Sequence, residues 1–241
     1  TGVDPSTYLY ENGINCEHVW PQSLYEGGEP TKSDMHALRP CKDNVNSARG
    51  NKPFNESNDN QTTTWYWQSS QTSTIPSSNI DEYSENHSSY FEPREDRKGD
   101  MARTMFYFYT MYADVADDDF FEGQKDILKI WHEQDPADTD ESDRTWQIAE
   151  YQQHKPNPFI LDATLVERAY YYNACILGDL NADGSWDVLD IVNLANCVVV
   201  GTCNSCEEDM NGDGLYNVLD IVSLANCVLA GDCADQDWLD D

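Results

Sequence analysis

Apolar residues recur at helical spacing in three stretches, residues 101–113 (MARTMFYFYTMYA), 124–134 and 143–154, and none of them contains Pro or Gly. That period predicts three helices. Trp20 and the aromatics of 106–109 read as core. Residues 12–49 alternate short apolar runs with turn residues before a helical stretch, which predicts short strands and turns followed by one helix. Residues 55–90 are rich in Asn, Ser, Thr and Gln, broken by the aromatic patch Trp65-Tyr66-Trp67. This stretch reads as a long, polar, partly irregular loop. The last part of the chain repeats itself: Asp179–Cys203 aligns without gaps on Asp209–Cys233, with 16 of 25 positions identical. VLDIVNLANCV (188–198) and VLDIVSLANCV (218–228) differ at one position, so one supersecondary unit has been duplicated.

Charge divides the chain at the same place. Lys and Arg number 14 against 45 Asp and Glu, a formal net charge of −31. All the basic residues lie at or before Arg168, while the 73 residues that follow carry 14 acids and no base. Two units of different chemistry are therefore expected, with a boundary near residues 172–178. The global sign argues against a basic protein that adheres to nucleic acid by charge alone. Mean hydropathy is −0.71, and no run of 18 apolar residues reads as a membrane span. The eight cysteines lack the paired spacing of a zinc site. Repeat symmetry pairs Cys197 with Cys203, Cys227 with Cys233, and Cys175 with Cys206. Cys16 and Cys41, flanking the early strands, are the candidates for a fourth bridge. Disulfides imply export, to the extracellular space or the periplasm.

Each repeat opens with a loop of oxygen side chains. Asp179, Asn181, Asp183, Asp187 and Asp190 occupy positions 1, 3, 5, 9 and 12, with Gly184 at position 6 and Ser185 at position 7. The second copy supplies Asp209, Asn211, Asp213, Asn217 and Asp220, with Gly214 at 6 and Leu215 at 7. Calcium needs six to eight hard oxygens, Gly allows the sharp turn, and position 7 offers only its carbonyl, so Ser185 and Leu215 both serve. Asp replaces the usual Glu at position 12. A loop followed by one helix, duplicated, resembles the type I dockerin module over residues about 176–233. The resemblance implies two Ca²⁺ ions and a cohesin-like protein partner, with Val188-Leu189 and Val218-Leu219 at the positions that commonly touch it.

The N-terminal part carries hydrolytic chemistry. Glu17 next to His18 sets a carboxylate beside an imidazole; at a strand end both can reach one cavity, although mid-strand neighbours point apart. The pair suits a metal ligand next to a general base, and Asn44, Asn46 or Asn51 can add an amide oxygen. Arg49, three residues after Asn46, is a candidate phosphate clamp, with Arg39 as competitor. His36 and Asp34 are candidates for orienting the site, Arg103 for binding phosphate or pairing with Asp100, and His132 and His154 for structural roles.

The motifs NCEHVWPQS (15–23), SDMHALRP (33–40) and VNSARGN (45–51), with EPREDRKGDMARTMFY (92–107), IWHEQDP (130–136) and QQHKPNPFI (152–160), resemble the endonuclease I family of His-Me finger, ββα-metal nucleases. The resemblance implies an α+β fold, a ββα core wrapped by helices over residues 1–172, followed by a small all-α double calcium-loop module over 173–241. It implies non-specific, one-metal hydrolysis of DNA, and often RNA, to 5′-phosphate ends. His18 matches the general base, and Glu17 and Asn46 match the ligands of a Mg²⁺-type ion (Mg²⁺, Mn²⁺ or Ca²⁺). Two rival readings remain: a calcium-dependent docking or adhesion protein with a non-catalytic N-terminal carrier, and a metal-dependent hydrolase of another phosphodiester. Because the substrate is a polyanion, the basic residues are expected to cluster around the Glu17/His18 cleft.

Overall fold

The computed structural model describes residues 4–26, 28–171, 176–231 and 233. The chain forms two compact units, Thr1–Tyr171 and Tyr172–Asp241. Among the described residues no helix is long and apolar enough to cross a membrane.

In the first unit, α1 (Pro5–Glu11) starts on an Asp4 cap with Pro at its first turn and leads into β1 (Ile14–His18). β1 pairs antiparallel with β2 (Leu38–Lys42) in the register Ile14↔Lys42, Glu17↔Arg39, His18↔Leu38. β2 runs directly into α2 (Asp43–Arg49), which ends at Gly50, held at φ 56° where a Cβ is disfavoured. The expected two strands and helix are thus present.

Residues 55–90 are largely irregular, as their composition predicts, but carry short strands it does not announce. β3 (Thr64–Trp67), β4 (Ser70–Thr72), β5 (Ser84–Asn86) and β6 (Phe91–Glu92) build an antiparallel sheet in the order β4-β3-β5-β6. The strands are two to four residues long and rich in Ser, Thr and Asn, so no apolar alternation announces them. Trp65, fully buried, anchors the sheet.

The three expected helices appear as α3 (Lys98–Met111), α5 (Lys125–Gln134) and α6 (Thr139–Tyr151), with a short α4 (Asp118–Glu122) between the first two and α7 (Pro158–Leu161) and α8 (Leu165–Tyr170) after. α3 is buried from Ala102 to Phe108, including Arg103 and Thr104, and packs on α5. A helix enclosed on all sides needs partners for its polar groups. Arg103 Nη2 pairs with Glu141 at 2.6 Å, and its Nη1 donates to the Asp135 carbonyl at 2.7 Å. This is a structural role, with Asp100 a longer contact at 3.7 Å. Trp20 stacks on Phe108 at 4.9 Å in the core formed with Phe106, Phe121, Trp131 and Phe159.

In the second unit α9 (Val188–Val200) and α10 (Val218–Ala230) each follow one acidic loop and pack on each other around Leu194, Met210 and Leu224. Gly178, at φ 82°, lies so close to this core that a Cβ would come within 2.6 Å of Leu224 Cδ1. The bridges Cys197–Cys203 and Cys227–Cys233 form as repeat symmetry predicts. Cys206 is also disulfide-bonded, and Cys175, its expected partner, lies outside the described residues. Cys16 and Cys41 are free thiols, not the expected bridge. The register explains this: Cys16 faces Pro40 and Cys41 faces Asn15, so the two sulfurs leave opposite faces of the strand pair.

Candidate active site

Strand alternation sorts the early motif. Glu17, Arg39 and Cys41 share the face of the β1–β2 pair that α2 covers, and His18 leaves by the other face at the end of β1. Arg49, on the last turn of α2, points back at that strand. Its Nη1 lies 2.9 Å from Glu17 Oε1 and 3.1 Å from the His18 carbonyl, and its Nη2 donates to the Val19 carbonyl. Only 3 % of Arg49 is exposed, and the guanidinium sits 4.7 Å from the Phe54 ring centre. In this arrangement both terminal nitrogens hold the strand and its carboxylate, and none is turned to a phosphate. Burial pushes the Glu17 carboxyl upward even against the attraction of Arg49, and pulls Arg49 down to about 10.

Asn46, one turn earlier on α2, donates through Nδ2 to the Cys16 carbonyl at 3.4 Å, which leaves its Oδ1 as the uncommitted end. Glu17 and Asn46 line one cavity of about 490 Å³. Six bases share its wall: Arg39, Lys42, Arg49, Arg94, Arg97 and Arg144; the acids are Glu17, Glu82 and Asp100. Six of the chain's 14 bases therefore line this cavity beside three acids, whereas the expected gathering was around Glu17 and His18 together. Of these bases the sequence singled out only Arg39 and Arg49; Lys42, Arg94, Arg97 and Arg144 were missed. Arg144 is the most distant. It sits on α6, half-buried, with its Nη2 donating to the Met35 and Leu38 carbonyls at 3.0 and 2.7 Å and no carboxylate in ion-pair range among the described residues. Its distance along the chain from the motifs, about a hundred residues, gave no signal.

His18 is not part of that cavity's wall. Its Nε2 lies 3.0 Å from the Lys32 carbonyl and its Nδ1 3.0 Å from Gln22 Nε2. A carbonyl only accepts, so Nε2 carries the proton and a neutral ring leaves its lone pair on Nδ1. Gln22 Nε2, from the same motif, lies almost equally near both ring nitrogens, 3.0 Å from Nδ1 and 3.1 Å from Nε2. Asp34 and His36 lie on the turn before β2 rather than on the strand. Asp34 accepts from Tyr107, Tyr112 and Gln152 at 2.8, 2.7 and 2.9 Å, and buried His36 donates to the Lys155 carbonyl at 2.9 Å. Both tie the motif to α3 and the segment after α6. His132 likewise bonds the Ala163 carbonyl at 2.9 Å, and His154 is exposed.

Glu17 and Asn46, and the two acidic loops of the second unit, carry the oxygen side chains that a hard cation takes. Glu17 and Asn46 offer carboxylate and amide oxygens to one cavity, the chemistry that magnesium-type ions take. In the second unit both loops have the same internal bonding. Asp179 accepts from the Asp183 and Gly184 amides at 3.1 and 3.0 Å, as Asp209 does from Asp213 and Gly214 at 3.2 and 2.9 Å. Asp187 and Asn217 cap the helices, and Asp190 and Asp220, fully buried, accept from loop amides through both oxygens. Asn181 and Asn211 bond Asp183 and Asp213, while Ser185 and Leu215 are exposed. Among the described residues no three loop carboxylates converge within 4.8 Å; Cys197, Cys203 and Glu208 do, but those sulfurs are joined to each other.

An antiparallel strand pair runs into a helix, and a carboxylate from the first and a carboxamide from the second line one cleft of a mixed α+β unit. The chain belongs to the Endonuclease I family, whose model matches residues 3–164. It is similar to the "Extracellular ribonuclease" of Bacillus subtilis (strain 168), 34 % identical over 168 residues, and to that of Bacillus amyloliquefaciens, 34 % identical over 161 residues. Each match covers 61 % of this chain and 50 % of the relative, so the chain spans about half the length of the curated relatives it matches.

Proposed function

We propose that the protein is a secreted, divalent-metal-dependent endonuclease that hydrolyses RNA and DNA without sequence preference, leaving 5′-phosphate ends. The observation that carries this reading is the placing of Glu17 and Asn46 in one cavity walled by six basic side chains. The names of the relatives, and disulfides in a chain of this family, support export and a ribonucleic substrate. Glu17 and Asn46 would hold the ion, which supplies charge stabilisation to the pentavalent phosphorus and its leaving oxygen. Arg49 fixes the Glu17 carboxylate. Arg144 would bind the phosphodiester, because Arg39 is paired with Asp100 and Glu141 at 3.4 and 3.6 Å. His18 would take the proton of the attacking water on Nδ1, a role that requires its ring to reach the ion from the face of β1 opposite Glu17.

In the second unit the two loops would bind two Ca²⁺ as a dockerin-like module. Val188, Leu189, Val218 and Leu219, each more than half exposed, would face a cohesin-like partner.

The test is plasmid and RNA digestion by wild type and His18→Ala, with and without EDTA. The alanine variant should cut about 10² to 10⁴-fold more slowly, and EDTA should stop the wild type. Equal cutting by the variant, or indifference to EDTA, overturns the mechanism. Helicity of the second unit should fall in the EDTA arm and return with calcium; no change by circular dichroism rejects the calcium loops.

A further inference from the structure

One wall of the cavity has no part in the chemistry above. Tyr66 and Trp67, at the end of β3, face the same space as Glu17 and Asn46, with Phe54 and Phe91 beneath. Trp65 is fully buried in the sheet, but Tyr66 and Trp67 are only half-buried, and the Trp67 ring leans on Tyr83 with centroids 5.4 Å apart. Half-buried rings fixed from behind and open in front are expensive to leave facing water. Arg39, Arg97 and Arg144 line the same cavity. A cation-lined groove with an aromatic wall is the arrangement that binds single strands: the backbone follows the cations and the bases stack on the rings whatever their sequence. A space of about 490 Å³ suits one nucleotide. In a duplex every base is already stacked and paired, and reaching the wall would require extruding it.

We propose that Trp67 forms a stacking platform for one unpaired nucleobase beside the scissile phosphate, so that the cleft takes single-stranded nucleic acid in preference to duplex. This names the substrate class of the site and rests on reading the cleft as the nuclease centre. The platform tolerates any base, and it makes unpaired RNA a natural substrate.

The test compares kcat/KM on a labelled single-stranded oligonucleotide and on the same sequence as a duplex, for wild type, Trp67→Ala and Trp67→Phe. Wild type should favour the single strand, and the single-strand to duplex ratio should fall about tenfold in Trp67→Ala, mostly through KM, and recover in Trp67→Phe. An unchanged ratio in Trp67→Ala overturns the platform, whether both rates hold or both fall together. Binding gives a second reading without cleavage. A single strand carrying 2-aminopurine should lose fluorescence on binding His18→Ala, and the quench should disappear in His18→Ala/Trp67→Ala. If wild type cuts nothing, the nuclease reading falls, and the quench alone decides the platform; no quench, or one that survives Trp67→Ala, rejects it.

Discussion

Arg49 shows what spacing along a chain can and cannot reveal. Its position three residues from Asn46 correctly puts both on the inner face of α2, but spacing does not say which anion a guanidinium meets. A buried carboxylate with no partner is costlier than a solvated phosphate left alone, so Glu17 captures it. Arg49→Met should therefore destabilise the first unit by about 3–5 kcal/mol, read as a lower urea midpoint. Adding Glu17→Gln, which removes the stranded charge, should recover part of that loss; a double variant as weak as the sum of its two singles would show that the pair is not coupled. The motifs group Glu17, His18 and Asn46; the fold brings Glu17 and Asn46 to one cavity and leaves His18 outside its wall. The outlook of the His18 ring was not legible, because it depends on Lys32 and Gln22 across a turn. Cys16 and Cys41 mislead for a related reason: proximity in a strand pair is cheap, but parity decides which side chains meet.

At the scale of elements, amphipathic period exposed α5 and α6, and duplication exposed α9 and α10. The β3–β6 sheet stayed hidden because its strands are short and polar. Its inner positions include two acids that sit directly opposite each other, Glu85 and Glu92. Glu85 is buried, accepts from the Thr62 hydroxyl at 2.7 Å, and is pushed up to about 7, by burial first and then by the charges of Glu92 and Asp59. A raised carboxyl favours the protonated form in the fold. Its contribution to stability is fully present below about 4.5 and is lost as pH rises through about 7. The melting temperature should therefore decline between pH 6 and pH 8, and Glu85→Gln, a neutral acceptor for Thr62, should flatten that decline and melt several degrees higher at pH 8. Calorimetry at the two pH values checks it, and an equally steep decline in the variant would place the titration elsewhere.

Over the whole molecule, the sequence showed where the bases end but not where they gather. Arg39, Arg94 with Arg97, and Arg144 come from three separate segments, and only the folded chain brings them to one cavity. The result is a basic mouth on a body of net charge −31. Added salt must then act in two opposite directions. At low ionic strength the Debye length is about 30 Å at 0.01 M, long enough for an approaching polyanion to sense the body's repulsion; near 0.15 M it shrinks to about 8 Å and the mouth is felt alone. Beyond that, counterions compete for the phosphate contacts themselves. Initial rates against NaCl should pass through a maximum, where a uniformly basic nuclease would only slow down. Such a maximum would suit the protein to brine, and a monotonic fall from the lowest salt would mean that the acidic exterior lies too far from the approach path to matter.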